Sequence, residues 1–284
     1  MIKRILVALD PDEDTPVATH FAIRLAKRFN ATLTGLAVVD VRNISSRLGA
    51  GGWGAGLYSR QLWEDLSDES REMAMKLLNE FEKNVKRAGV NYTTVQKQGA
   101  SNETIIEEMK YHDLLVVGRD SHFFYDEPEM ETKTLAEIVK QGVSPTLIVT
   151  DKYVDVEKIL VAFDGSAPAA RSLKAFIHIL PYGKDLEIEL MHVRNGNSDI
   201  DQKESDYILG MAEKYLKDHD FNYITKRSME KGNPSERIME RRETFNPDMI
   251  VLGAHSVSAI ERITFGSTTH EMITKSPVPM FLNP

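Results

Sequence analysis

The chain says one thing twice. Ile5-Leu6-Val7-Ala8-Leu9-Asp10 returns as Ile159-Leu160-Val161-Ala162-Phe163-Asp164, with a single Leu/Phe difference. Three more matches follow in the same order: Gly99-Ala100-Ser101-Asn102-Glu103-Thr104-Ile105 with Gly232-Asn233-Pro234-Ser235-Glu236-Arg237-Ile238, Asp113 to Gly118 with Asp248 to Gly253, and Ser144-Pro145 with Ser276-Pro277. Ordered matches at so long a spacing mean one folding unit present in two copies. The reading is two domains, 1–150 and 156–284, joined by the polar stretch Asp151 to Glu157. Each has the ~100–150 residues of an ordinary domain.

Within each copy, short aliphatic runs alternate with helical spacing. Lys3 to Leu9 is a continuous apolar run stopped by Asp10-Pro11-Asp12, and Val17, Phe21, Leu25 and Phe29 then recur at helical intervals. A strand at Ala31 to Val39, a helix at Asp65 to Ala88, a strand at Asn91 to Gln98, a helix at Ser101 to Lys110, a core strand at Asp113 to Gly118, a helix at Thr134 to Gly142 and a strand at Ser144 to Val149 complete the first copy. Strand-helix-strand units this short require parallel crossovers. The fold class expected is therefore α/β: two open, doubly wound, mostly parallel five-stranded sheets with helices on both faces. Asn43 to Ser59, with five glycines around Trp53, reads either as a lid over a pocket or as a surface excursion.

Charge and composition exclude several functions. A net charge of −8 argues against a general affinity for nucleic acid or anionic lipid, which needs Lys/Arg excess. No run approaches the ~18 apolar residues that span a bilayer, and the opening ten residues do not read as a signal peptide, so a cytoplasmic protein is expected. Zero cysteines remove disulfides, cysteine nucleophiles and thiolate metal sites. The histidines, among them His112, His192, His255 and His270, form no zinc-binding pair, and no Gly-x-Ser-x-Gly elbow appears.

The chemistry expected of such a sheet lies at the carboxyl ends of its strands. In the second copy those ends carry Asp164-Gly165-Ser166, Val193 and Gly253-Ala254-His255-Ser256, and nine residues later come Gly266-Ser267-Thr268-Thr269 at the start of a helix. An apolar strand ending in Gly, followed by Gly-Ser/Thr at a helix start, suits a phosphate held by neutral donors and the helix N-terminus, since no Walker-type Lys is present. Asp164 and Ser166 serve equally as helix caps, and Val193 as core.

Gly-x-x-Gly, nine residues, then Gly-Ser/Thr is the nucleotide loop of the universal stress protein family, which this chain resembles over its whole length as a tandem of two domains. The opening Ile-Leu-Val-Ala-x-Asp, Met191-His192-Val193, the Gly-x-Pro-Ser-Glu-x-Ile helix start and the closing Ser-Pro-Val-Pro carry the resemblance. It implies an adenine-nucleotide alpha-hydrolase-like fold, with the two domains arranged as a pseudo-dimer within one chain through Thr146 to Val149 and Pro279 to Leu282. It further implies ATP in the second copy: Asp164 at the nucleoside end, Val193 beside adenine, Leu252 and Gly253 along ribose and phosphates, Gly266, Ser267 and Thr268 on the phosphate tail, and Mg²⁺ bridging its oxygens. Ser256 departs from the family's second Gly, and its hydroxyl either crowds the phosphate or donates to it. With no general base or cationic transition-state stabiliser that the sequence places at this loop, the expected role is a nucleotide-responsive regulator with little or no turnover, and a homodimer is a possible assembly. The alternative is a scaffold, or a binder of a small apolar ligand, with both sites degenerate.

The first copy diverges after Gly118. Asp10 and Val38 stand in register with Asp164 and Val193, but His122-Phe123-Phe124-Tyr125-Asp126-Glu127 replaces the loop and no Gly-Ser follows. Acidic side chains there would repel a triphosphate. Three roles are open to the aromatic residues: filling the vacant pocket, seating an apolar ligand, or contacting another subunit.

Overall fold

A computed structural model describes residues 2–42, 44, 56–123, 125, 134–179, 182, 184–254 and 267–284. The chain forms two compact units, one of residues 2–144 with 149–152 and one of residues 145–148 with 153–284.

In the N-terminal unit the chain order is β1 (Arg4–Ala8), α1 (Asp14–Phe29), β2 (Thr32–Val39), α2 (Gly56–Ala88), β3 (Tyr92–Gln98), α3 (Ser101–Met109), β4 (Leu114–Gly118) and α4 (Thr134–Gln141). The strands lie side by side as β3-β2-β1-β4, all parallel. Buried on both faces, β1, β2 and β4 read as the unbroken aliphatic runs seen in the sequence. Gly35 in β2 has a packing cause: a Cβ there would sit 2.5 Å from the Phe81 ring of α2, so its absence lets the helix lie flat on the sheet. Helix α2 begins at Gly56, well before the expected Asp65. Residues 56–59, read as the end of a glycine-rich loop, join a helix whose early turn carries the Arg60–Glu64 pair at 3.2 Å. The rest of that loop, Trp53 included, lies outside the described residues.

In the C-terminal unit, β6 (Lys158–Ala162), α5 (Ala167–Ile179), β7 (Glu187–Val193), α6 (Asp199–Asp218), β8 (Tyr223–Met229), α7 (Pro234–Phe245), β9 (Met249–Gly253), α8 (Ser267–Lys275) and β10 (Met280–Asn283) give the parallel order β10-β9-β6-β7-β8. A further strand comes from earlier in the chain. β5 (Thr146–Val149) runs antiparallel to β10, with Ile148 opposite Met280 and Thr146 opposite Leu282. The pairing expected between these segments is present, and it groups residues 145–148 with the C-terminal unit.

Two repeated sequence signals have matching structural causes. Asp113 Oδ2 accepts the Lys3 and Arg4 N–H groups (2.7 and 2.9 Å), and Asp248 Oδ2 accepts those of Glu157 and Lys158 (3.0 and 2.8 Å). Each aspartate clasps the first strand of its sheet. Below the sheets the copies differ. His112 Nε2 meets Thr34 Oγ1 at 2.9 Å, whereas Glu189, which takes the place of Thr34 in the second copy, forms a bidentate ion pair with Arg241 at 2.5 and 2.7 Å and is almost fully buried.

Candidate functional site

Strand order reverses between β6 and β9, and at their carboxyl ends lies a cavity of about 240 Å³. Its walls are Ala162 at the end of β6 with Phe163, Asp164 and Ser166 after it, Ala169 of α5, Met191, His192 and Val193 of β7 with Asn195 just beyond, Pro234 and Ile238 of α7, Leu252 and Gly253 of β9, and Thr268 and Thr269 of α8. The lining mixes aliphatic surface with a few polar groups, the usual make-up of a small-molecule site.

The backbone sets the inner end. Arg194 N–H donates to Met229 C=O (3.0 Å), which turns Arg194 toward β8 and, by alternation, Val193 toward β6. Phe163 N–H donates to Met191 C=O (2.8 Å), so the Phe163 carbonyl faces β7. Among the described residues no hydrogen bond joins the Val193 amide to the Phe163 carbonyl. β6 and β7 part there, leaving a donor beside an acceptor at the pocket wall.

Of the residues expected from the sequence, Asp164, Val193, Leu252, Gly253 and Thr268 line this one cavity. Asp164 is exposed and its Oδ1 accepts the Ser166 N–H (2.9 Å), while Ser166 Oγ accepts the Ala169 N–H (3.3 Å). The capping role is therefore present, and both residues still border the pocket. Gly253 has a packing cause in addition to any ligand: a Cβ would lie 2.7 Å from Ala169 N, so only Gly lets β9 meet the start of α5. Ser267 opens α8, whereas His255, Ser256 and Gly266 lie outside the described residues. Thr269 Oγ1 donates to Gly253 C=O (3.1 Å), tying the start of α8 to the end of β9.

Sequence reading missed Ala162, Phe163, Ala169, Met191, Asn195, Pro234, Ile238 and Thr269. Pro234 and Ile238 lie in a stretch recognised as repeated, which was the available signal for their place beside the strand ends. His192 is buried, its Nδ1 2.9 Å from Ser205 Oγ, and Ser205 Oγ donates to Ser228 Oγ at 2.8 Å. Burial holds its pKa below the usual histidine range, against the opposing pull of Asp164, so the ring is neutral at pH 7.

At the corresponding place in the N-terminal unit the space is filled. Tyr125 is buried, its hydroxyl donating to Leu9 C=O (2.9 Å) and accepting from Val38 N–H (3.2 Å). Phe123 and His122 donate their N–H groups to Asp10 (2.9 and 2.7 Å), Ser121 Oγ donates to Asp12 (2.7 Å), and Asp120 N–H donates to Asp14 (3.0 Å). Of the roles open to the aromatic residues, Phe123 and Tyr125 take the filling one; Phe124 and residues 126–133 lie outside the described residues. Burial raises the pKa values of Asp10 and Asp12 and lifts Asp14 to about 6.

Among the described residues no group of three or more His, Asp or Glu side chains is placed to hold a metal ion, and no helix is long and apolar enough to cross a membrane.

Comparison with known families matches residues 1–125 and 155–282 to the Universal stress protein family. Universal stress protein Slr1230 of Synechocystis is 24% identical over 98% of this chain and 99% of its own length. Universal stress protein MJ0531 of Methanocaldococcus jannaschii is 28% identical over 42% of this chain and 65% of its own. Among solved structures, a universal stress protein from Archaeoglobus fulgidus superposes with a TM-score of 0.68 at 20% identity, covering 99% of this chain and 95% of that one, a likeness of fold.

Proposed function

Because this chain belongs to the universal stress protein family, we propose that it binds ATP in the strand-end pocket of the C-terminal unit and works as a nucleotide-responsive regulator in the stress response, with little or no turnover. The observation that carries this reading is the donor-acceptor pair of Val193 N–H and Phe163 C=O facing a pocket whose other end is the N-terminus of α8. An adenine edge presents the complementary acceptor and donor. A helix N-terminus is suited to the phosphates, through its free N–H groups and positive dipole end. Thr268, Gly266 and Ser267 supply the phosphate end in this reading, Asp164 the nucleoside end, and Ser256 a further hydroxyl on the loop. Mg²⁺ would be carried mainly by the phosphate oxygens, as is usual for this ion at a nucleotide. The N-terminal unit, plugged and acidic at the same place, takes no ATP. A cytoplasmic setting and a homodimer complete the proposal.

Native mass spectrometry with and without Mg-ATP tests it. One adenine nucleotide per chain is expected, lost in Thr268→Glu, which sets a carboxylate where phosphate would lie, and kept in Ser121→Ala of the other unit. No bound nucleotide in either condition overturns the reading and favours a scaffold. Steady hydrolysis abolished by Ser267→Ala would overturn its non-catalytic part.

A further inference from the structure

The plug in the N-terminal unit touches a particular set of groups. Tyr125 Oη is held by Val38 N–H and Leu9 C=O, the adjoining Phe123 N–H is held by Asp10, and Phe123 C=O accepts from Ser101 Oγ at 3.2 Å. Strand register and the repeat place these four residues opposite Val193, Phe163, Asp164 and Pro234. All four counterparts line the pocket of the C-terminal unit. An arbitrary core tyrosine has no reason to seek the one backbone donor and the one acceptor left where two strands part. Its hydroxyl, accepting and donating at a single atom, does the work of a ligand's edge.

We propose that the N-terminal unit contains a second small-molecule site, closed by Tyr125 acting as a built-in occupant, whose ligand class is a neutral flat heteroaromatic carrying a donor beside an acceptor on one edge. Neutrality follows from the surroundings. Asp10 and Asp14 are buried and Asp12 half-buried around the plug, and an anion entering so poorly solvated a place would lose its hydration beside carboxyl oxygens that offer it no counter-charge. A free nucleobase meets this description and a nucleoside polyphosphate does not. The ring volume and the hydrogen-bonding edge are both already shaped, so removing the tyrosine side chain should expose a site and not merely a void.

The test uses the ¹⁵N-labelled full chain with adenine as the probe. The Val38 amide reports the closed site and the Val193 amide reports the open one. In the unaltered protein adenine is expected to move Val193 and leave Val38 unmoved; in Tyr125→Ala it is expected to move both, with at least a tenfold gain in apparent affinity at Val38. p-Cresol serves as the control occupant. If p-cresol restores the melting temperature of Tyr125→Ala while adenine leaves Val38 unmoved, Tyr125 is core packing alone and the inference fails. Should Tyr125→Ala not fold, Tyr125→Val decides: it retains a small apolar side chain but vacates most of the ring volume and frees the Val38 donor and the Leu9 acceptor, so adenine at millimolar concentration is expected to shift Val38, and an unmoved Val38 overturns the inference. A silent Val193 with a responsive Val38 would sink the ATP reading and leave this one intact.

Discussion

At the end of β6 a backbone donor and acceptor look into an open pocket, while at the end of β1 the same pair is closed on the hydroxyl of Tyr125. The aspartates beside them have diverged accordingly. Asp164 is exposed and caps a turn, whereas Asp10 is buried and gathers two loop N–H groups, with its pKa raised by burial. Both began from the same six-residue strand. The difference shows that a strand end in this kind of sheet specifies a hydrogen-bonding pattern, and that the following loop decides whether solvent, ligand or the chain itself satisfies it.

The largest expected effect concerns what each copy needs from the other's sequence. Residues 156–284 produced alone lack β5, so the β10 edge, with buried Met280, Phe281 and Leu282, loses its antiparallel partner. Sedimentation or light scattering should find this fragment dimeric or aggregated under conditions where the full chain shows no concentration dependence. A monodisperse, folded monomer would mean that the two copies are closer to independent than the strand pairing indicates.

The next concerns the layer beneath the sheets. Arg241→Met leaves Glu189 charged and buried without its partner, at an expected cost of about 3–5 kcal/mol in chemical denaturation. Thr34→Val in the N-terminal copy removes only neutral hydrogen bonds, to His112 and to Thr93, and should cost about 1–2 kcal/mol. Pairing Arg241→Met with Glu189→Leu should recover most of the loss. Equal costs for the two single changes would erase the contrast between a neutral and an ionic support.

The smallest is a pH effect confined to one copy, because the counterpart of Asp14 in the repeat is Pro168. Burial lifts Asp14 to about 6, so between roughly pH 4 and 6 the folded chain keeps a proton that the unfolded chain releases. The sign follows: this group's contribution worsens as pH rises through that window. Asp14→Asn, which preserves an acceptor for the Asp120 N–H, should stabilise the protein by on the order of 1 kcal/mol at pH 7 and by almost nothing at pH 4. A gain independent of pH would show that the carboxyl is not the cause.

Much of this architecture is legible from local signals, for definite reasons. Asp113 and Asp248 recur because each clasps a first strand, and the aliphatic runs recur because parallel strands are buried on both faces. Asp164, Val193, Leu252, Gly253 and Thr268 could be placed beside one cavity from the sequence because strand ends and helix starts leave marks in it. Met191 and Asn195 leave none: their presence at the pocket depends on how strands and helices pack, and each reads locally as core or polar surface. Tyr125 is harder still. Six residues of mixed aromatic and acidic character announce a divergent loop, but only the fold shows that one hydroxyl lands between Val38 and Leu9.

The antiparallel pairing of β5 with β10 also has a meaning for biosynthesis. About 130 residues separate the two strands. At ~5–20 residues per second, a ribosome finishes Val149 roughly 7–26 s before it reaches Met280. For that interval a buried-type strand, Thr146-Leu147-Ile148-Val149, waits on the nascent chain with one edge unpaired, and a neighbouring nascent chain offers it the same partner that it will later find in its own. The rate of translation between these strands thus sets how long the polypeptide is open to pairing with the wrong copy.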